Sequence, residues 1–127
     1  MKRVAVIEDN PDNRLLVSAI LEEEFEVDDF EEGESGLAAF AAGRLPDVLL
    51  LDISLPVLDG TQVLARIRDS EALRGIPVIA LTAHAMAGDR EKYLGLGFDD
   101  YVTKPIIDED ILLDAIRRLV ARGGSTR

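Results

Sequence analysis

The chain contains no cysteine. Disulfides and thiolate metal sites are therefore excluded, and the absence fits a cytosolic setting. No apolar run approaches the roughly eighteen residues that a membrane span needs. The basic start MKRVAVIEDN offers only Val4 to Ile7 as an apolar stretch. That is too short for the core of a secretory leader, and no small-residue cleavage site follows. Positive charge is scarce as well: 14 Lys and Arg stand against 25 Asp and Glu, for a net charge of −11. A field of that sign repels nucleic acid, so neither a duplex nor a single strand is an expected partner. The deficit is sharpest in EEEFEVDDFEEGE, residues 22–34, where no base occurs. A solvated face is one reading of that run, and a steering patch for a basic partner is the other. Histidine is nearly absent too; His84 is alone.

What is present suits one domain. At 127 residues and 47% apolar composition, the chain can bury about two-thirds of its unfolded surface. Short apolar runs alternate with helical patterns. Strands are expected at Arg3–Ile7, in FEVDDF (25–30), at Val48–Leu51, at Pro77–Leu81 and at Phe98–Val102. The first helix should carry Leu15, Leu16, Ala19 and Ile20 on one face, with Asn10 as cap and Pro11 in the first turn. The second should run from Gly33 to Gly43. The third should follow Gly60 and carry Val63, Leu64 and Ile67, and the fourth should span Asp89–Leu96, closed by Gly97. The last has the cleanest stripe: Ile111, Leu112, Ala115, Ile116, Leu119 and Val120. Five strands alternating with five helices imply a doubly wound α/β fold, a parallel sheet covered on both faces. The domain is expected over residues 1–122, with GGSTR at 123–127 as a frayed tail.

In such folds ligands gather beyond the carboxyl ends of the strands. Those ends read Glu8-Asp9, Asp52, Thr82-Ala83 and Lys104-Pro105. Each has a plain reading alone: helix-dipole acids, a turn aspartate, a strand threonine, a solvated lysine. Together they form a coherent set. Three close carboxylates repel, and a divalent cation relieves that repulsion. One or two carboxylates with waters and phosphate suit magnesium. Adding an ammonium and a hydroxyl matches the needs of phosphoryl transfer, which is mostly positioning and charge neutralisation. A carboxylate can itself be the nucleophile and form an aspartyl phosphate. Asp52, ending an apolar run, is the best placed.

The stretches VAVIEDNPDNRLL, DVLLLDISLPVLDG and IPVIALTAHAMAGDREKYLGLGFDDYVTKPI resemble the receiver domain of bacterial two-component response regulators, over essentially the whole chain. The resemblance implies a flavodoxin-like sheet with strand order 2-1-3-4-5. It implies that Asp52 accepts a phosphoryl group from a histidine kinase or histidine phosphotransfer protein. Mg2+ would be held by Asp9 directly, by Glu8 through water, by Asp52 and by the backbone carbonyl of Ser54. Thr82 would bond a phosphoryl oxygen. Lys104 would pair with the phosphoryl group, and before transfer with Asp52 or a neighbouring carboxylate. A cis bond at Pro105 would aim the ammonium, and Tyr101 would turn inward as Thr82 moves. Ser54 and His84, two residues after Asp52 and Thr82, would tune the hydrolysis rate. The output surface would be the fourth helix, fifth strand and fifth helix, roughly Met86 to Val120, facing a downstream protein. The implied chemistry is self-phosphorylation and autodephosphorylation, not turnover of an external substrate.

On length, a stand-alone cytoplasmic switch is expected, with a receiver cut from a hybrid histidine kinase as the alternative. A phosphatase of the haloacid dehalogenase type is a rival, but it needs a second aspartate where Ser54 stands. A second rival is a binding module indifferent to phosphorylation; partner affinity unchanged by phosphorylation would favour it.

Overall fold

The computed structural model describes residues 2–83, 89–104, 106 and 108–125. In chain order they form β1 (Arg3–Ile7), α1 (Pro11–Leu21), β2 (Glu26–Phe30), α2 (Gly33–Ala41), β3 (Val48–Asp52), α3 (Gly60–Asp69), β4 (Val78–Thr82), α4 (Asp89–Leu96), β5 (Asp100–Thr103) and α5 (Glu109–Ser125). The sheet is parallel, in the order β2-β1-β3-β4-β5, the flavodoxin-like arrangement expected.

The strands read as continuous apolar runs because both faces are covered. Successive side chains alternate between the faces. Val4, Val6, Leu50, Ile79 and Leu81 meet α1 and α5 through Val17, Ile20, Leu21, Leu112, Ile116 and Leu119. Ala5, Ile7, Leu49, Leu51 and Ala80 meet α2, α3 and α4 through Phe40, Val63, Leu64, Ile67 and Tyr93. β3 is buried along all five residues, the direct reason that VLLL carries no polar side chain before Asp52.

Local chemistry sets the helix starts. The Asn10 side chain accepts the backbone N–H groups of Asp12 and Asn13, and Pro11 occupies the first turn. Asp59 and Gln62 form a reciprocal capping box at α3. Gly97 closes α4 at φ 112°, a left-handed conformation that favours glycine.

Several boundaries differ from the pattern reading. In α1 the packed face is Val17, Ser18, Ile20 and Leu21, whereas Leu15 and Leu16 are exposed. Two apolar phases overlap in LLVSAIL, and the capped start decides which faces the sheet. β5 begins at Asp100, not Phe98. Phe98 is turned into the core, edge-on to Tyr93, and the Asp99 carboxylate accepts Val78 N–H and the Arg68 guanidinium. Those bonds tie residues 98–99 into a turn. β4 starts one residue later than expected, since Pro77 has no N–H to donate and gives only its carbonyl, to Leu49 N. α5 extends to Ser125, so the expected boundary at residue 122 falls within its last turn. Ile111 points to solvent instead of joining the stripe.

The acidic run spans the turn after α1, all of β2 and the start of α2, and β2 is an edge strand paired with β1. Arg44 grips Asp28 with two bonds of 2.8 and 2.7 Å, and its guanidinium holds that carboxyl below the usual range. Arg3, Arg14 and Arg66 pair with Asp28, Asp29 and Glu34. Exposed pairs of this kind add little stability. Their charge does discourage a further strand from docking on the open edge.

Candidate functional site

Strand register alone assembles the four strand ends. Ile7 pairs with Leu51, so Glu8 and Asp9 leave β1 beside Asp52, the last residue of β3. Asp52 pairs with Leu81, which places Thr82 one residue further on the next strand. Thr82 pairs with Thr103, and Lys104 follows, its N–H donating to the Thr82 carbonyl at 2.7 Å. Residues separated by up to 96 positions thus meet at one end of the sheet.

Glu8, Asp52 and Thr82 are buried, and Asp9 is half-buried. Carboxylate oxygens of Glu8, Asp9 and Asp52 lie within 4.8 Å of one another. The Lys104 ammonium reaches Glu8 Oε1 at 2.9 Å and Asp52 Oδ1 at 3.2 Å. Ser54 N–H donates to Asp52 Oδ1 at 3.0 Å, and Asn10 N–H donates to Glu8 Oε2 at 3.2 Å. Arg14 bonds the Glu8 carbonyl at 2.9 Å, fixing the strand end from α1.

One lysine cannot neutralise this much negative charge. Burial, and then the bond to Asp52, push the Glu8 carboxyl up to about 7. Burial also works to raise Asp52. The bonds from Glu8, from Ser54 N–H and from Lys104 outweigh it and hold that carboxyl below its ordinary value. For Lys104 burial favours the neutral amine, yet the two carboxylates prevail and keep it more basic than usual. Asp52 therefore stays ionised, while Glu8 exchanges its proton around neutrality. Only oxygen ligands line this cluster, with more carboxylate than the protein's own cations balance. That donor chemistry fits a small hard divalent cation.

The loop from β3 to α3 is shaped around Asp52. Leu58 N–H bonds the Pro56 carbonyl at 2.7 Å across Val57, which has φ 65° and a fully exposed side chain. This tight three-residue turn is strained for a β-branched residue. Gly60 then packs directly beneath the site. A Cβ there would lie 2.3 Å from the Asp52 carbonyl oxygen and 2.8 Å from Ile53 Cα. Gly60 after the Asp59 cap is thus what allows α3 to start against the Asp52 backbone.

Ser54 lies beside Asp52 with its side chain exposed. Tyr101 is half-buried on β5. His84 and Pro105 lie outside the described residues, as do residues 86–88 and 107 of the expected output surface. Sequence reasoning missed Tyr93. This phenol, buried on α4, shares a hydrogen bond of 3.2 Å with the Thr82 hydroxyl. A lone aromatic in the polar helix DREKYLGL was the available signal. Arg14 and Asn10 were also missed as supports of Glu8, since nothing in their spacing announces it.

Comparison with known proteins gives a consistent result. The family model described as the response regulator receiver domain matches residues 4–117. The hybrid signal transduction histidine kinase I of Dictyostelium discoideum is 42% identical over 112 residues, 83% of this chain and 6% of that protein. The signal transduction histidine-protein kinase BarA of Escherichia coli K12 is 40% identical over 126 residues, 98% of this chain and 14% of that protein. The chain therefore spans a small fraction of these relatives. Among solved structures, the receiver domain of the sensor histidine kinase PA1611 from Pseudomonas aeruginosa PAO1 superimposes with a TM-score of 0.83 at 35% identity. The match covers 94% of this chain and 98% of that one, and that structure is described with a magnesium ion coordinated in its active site cleft.

Proposed function

Because the chain belongs to the response regulator receiver domain family, we propose that Asp52 is its phosphoacceptor and that phosphorylation switches its binding to another protein. The observation that carries this is the pairing of an ionised, buried Asp52 with Lys104 beside two further carboxylates. No other carboxylate cluster of this kind occurs among the described residues.

Phosphoryl transfer from a phosphohistidine breaks the N–P bond and forms an O–P bond to the Asp52 carboxylate; the imidazole nitrogen keeps the bonding pair. Asp52 is held for attack by Ser54 N–H and by Lys104. Glu8, Asp9, Asp52 and the Ser54 carbonyl are the residues that would hold Mg2+, and the ion, when bound, neutralises charge on the phosphoryl oxygens. Lys104 offers a second cation to the same oxygens. Thr82 supplies a hydroxyl from the adjacent strand. The exposed Ser54 side chain leaves room for water beside the aspartyl phosphate, whose hydrolysis resets the switch.

The donor is a histidine kinase or histidine phosphotransfer protein. α1 starts two residues after Asp9 and presents exposed Leu15 and Leu16, an apolar face suited to packing against a donor helix. The output surface is α4, β5 and α5; between β5 and α5 a groove of about 300 Å³ is lined by Tyr101, Ile111, Asp114 and Arg118 among others. A second reading concerns context. Histidine kinases and response regulators both match, at 42%, 40% and 39% identity, so a receiver within a longer kinase stands beside the stand-alone switch; the chemistry at Asp52 is the same in both.

The test is incubation with a small phosphodonor and Mg2+, read by intact mass. Wild type should gain one phosphoryl group, labile to hydroxylamine as an acyl phosphate, and Asp52→Asn should gain none. An unmodified wild-type protein, or equal modification of Asp52→Asn, refutes the assignment.

A further inference from the structure

We propose that Tyr93 is a positioning residue for this reaction: in the unphosphorylated protein its phenol holds the Thr82 hydroxyl toward α4, and it gives Thr82 up when Asp52 is phosphorylated. The proposal rests on the reading of Asp52 given above and adds a residue that the receiver resemblance did not supply.

The two hydroxyls are 3.2 Å apart, and both residues are buried, Tyr93 at 5% exposure and Thr82 at 3%. Either hydroxyl can be the donor in this bond; where Thr82 donates, sending its proton to a phosphoryl oxygen on Asp52 breaks the bond to the phenol. A buried hydroxyl left without a partner is costly, so the exchange must be matched on both sides. Thr82 is repaid by the phosphoryl oxygen. The phenol has to find a new partner, and turning it toward water moves the ring.

The ring in turn carries α4. Among the described side chains of that helix, Tyr93 is the one that is buried; Leu94 and Leu96 are exposed. The Tyr93 ring meets Phe98 edge-on at 6.0 Å and lies tilted against Tyr101 at 6.0 Å. The anchor that seats α4 on the sheet is thus the same group that restrains Thr82. Tyr101, the aromatic that sequence resemblance implicates in switching, contacts this anchor through its ring. Phosphorylation at Asp52 thereby reaches α4 by one hydrogen bond and one aromatic cluster.

Tyr93→Phe keeps the ring and deletes only the hydroxyl. It should raise the rate of Mg2+-dependent phosphorylation by a small phosphodonor roughly two- to tenfold, the range of one net hydrogen bond. In a Thr82→Val background the same change should have no effect on the rate, because the partner is gone. A second readout needs no hydroxyl deletion. The chain has two tyrosines and no tryptophan, so in Tyr101→Phe the tyrosine fluorescence comes from Tyr93 alone. Beryllofluoride with Mg2+, a phosphoryl mimic, should change that emission, and Asp52→Asn should abolish the change. A Tyr93→Phe rate within error of wild type, an effect that persists in Thr82→Val, or emission indifferent to beryllofluoride in a protein that does become phosphorylated overturns the role of Tyr93. Failure of wild type to take any phosphoryl group refutes the Asp52 assignment, and the Tyr93 role with it.

Discussion

Replacing Glu8 by glutamine should stabilise the metal-free protein in alkaline buffer and leave it nearly unchanged in acid. Glu8 is fully buried beside Asp52, and its carboxyl rises from 4.5 to about 7. The folded protein therefore binds a proton that the unfolded chain has already released, and stability falls as pH rises between those two values. Integrated from pH 5.5 to 8, a shift of that size removes roughly 2 kcal/mol. Asp52 acts in the opposite sense, since its carboxyl is held down. Its contribution is lost only when pH falls below the ordinary aspartate range, so it does not mask the effect. Glutamine keeps the shape and a hydrogen-bonding oxygen for Lys104, which retains Asp52 as its ionic partner at 3.2 Å. Urea unfolding in EDTA at pH 5.5 and pH 8 measures this directly. Wild type should lose about 2 kcal/mol across that interval, and Glu8→Gln should lose well under half as much. Millimolar Mg2+ should restore wild type at pH 8 and do little for the variant. If Glu8→Gln is destabilised equally at both pH values, Glu8 is not protonated in the apo fold and the charge argument for the site is wrong.

Lys104→Met should leave Glu8 and Asp52 without their cation. The metal-free protein should lose about 2 to 4 kcal/mol at pH 8 in urea titration, less than a fully enclosed pair because the ammonium keeps some contact with water, and phosphorylation should slow sharply. Gly60→Ala forces a methyl group against the Asp52 carbonyl. Thermal unfolding should show a loss of about 3 kcal/mol or more, with phosphorylation falling in step. Arg68 donates to the carbonyls of Arg74, Ile76 and Gly97 and pairs with Asp99, tying α3 to the loops that enter β4 and β5. Arg68→Ala should cost about 2 to 3 kcal/mol while phosphorylation of the folded protein proceeds normally.

How much of this was legible beforehand varies by element. β1 and α4 have the limits expected from pattern, because Val4–Ile7 is bounded by charge and α4 ends at a left-handed glycine. The face of α1 was misread, since Leu15 and Leu16 offer an apolar phase as convincing as Val17, Ile20 and Leu21. Phe98 looked like strand because an aromatic before Asp-Asp-Tyr-Val continues a β pattern. Only the Asp99 bonds to Val78 and Arg68 reveal a turn.

The identities and order of Glu8, Asp9, Asp52, Thr82 and Lys104, each at the end of an apolar run, were readable from the chain alone. The alternation of strand and helix puts such ends on one edge of a doubly wound sheet, and the order β2-β1-β3-β4-β5 makes them neighbours. The raised carboxyl of Glu8, the pairing of Lys104 with Asp52 and the capture of Thr82 by Tyr93 were decided by tertiary structure. Each depends on a distance of about 3 Å between residues whose spacing along the chain says nothing of their contact, and on burial that removes the water which would otherwise compete.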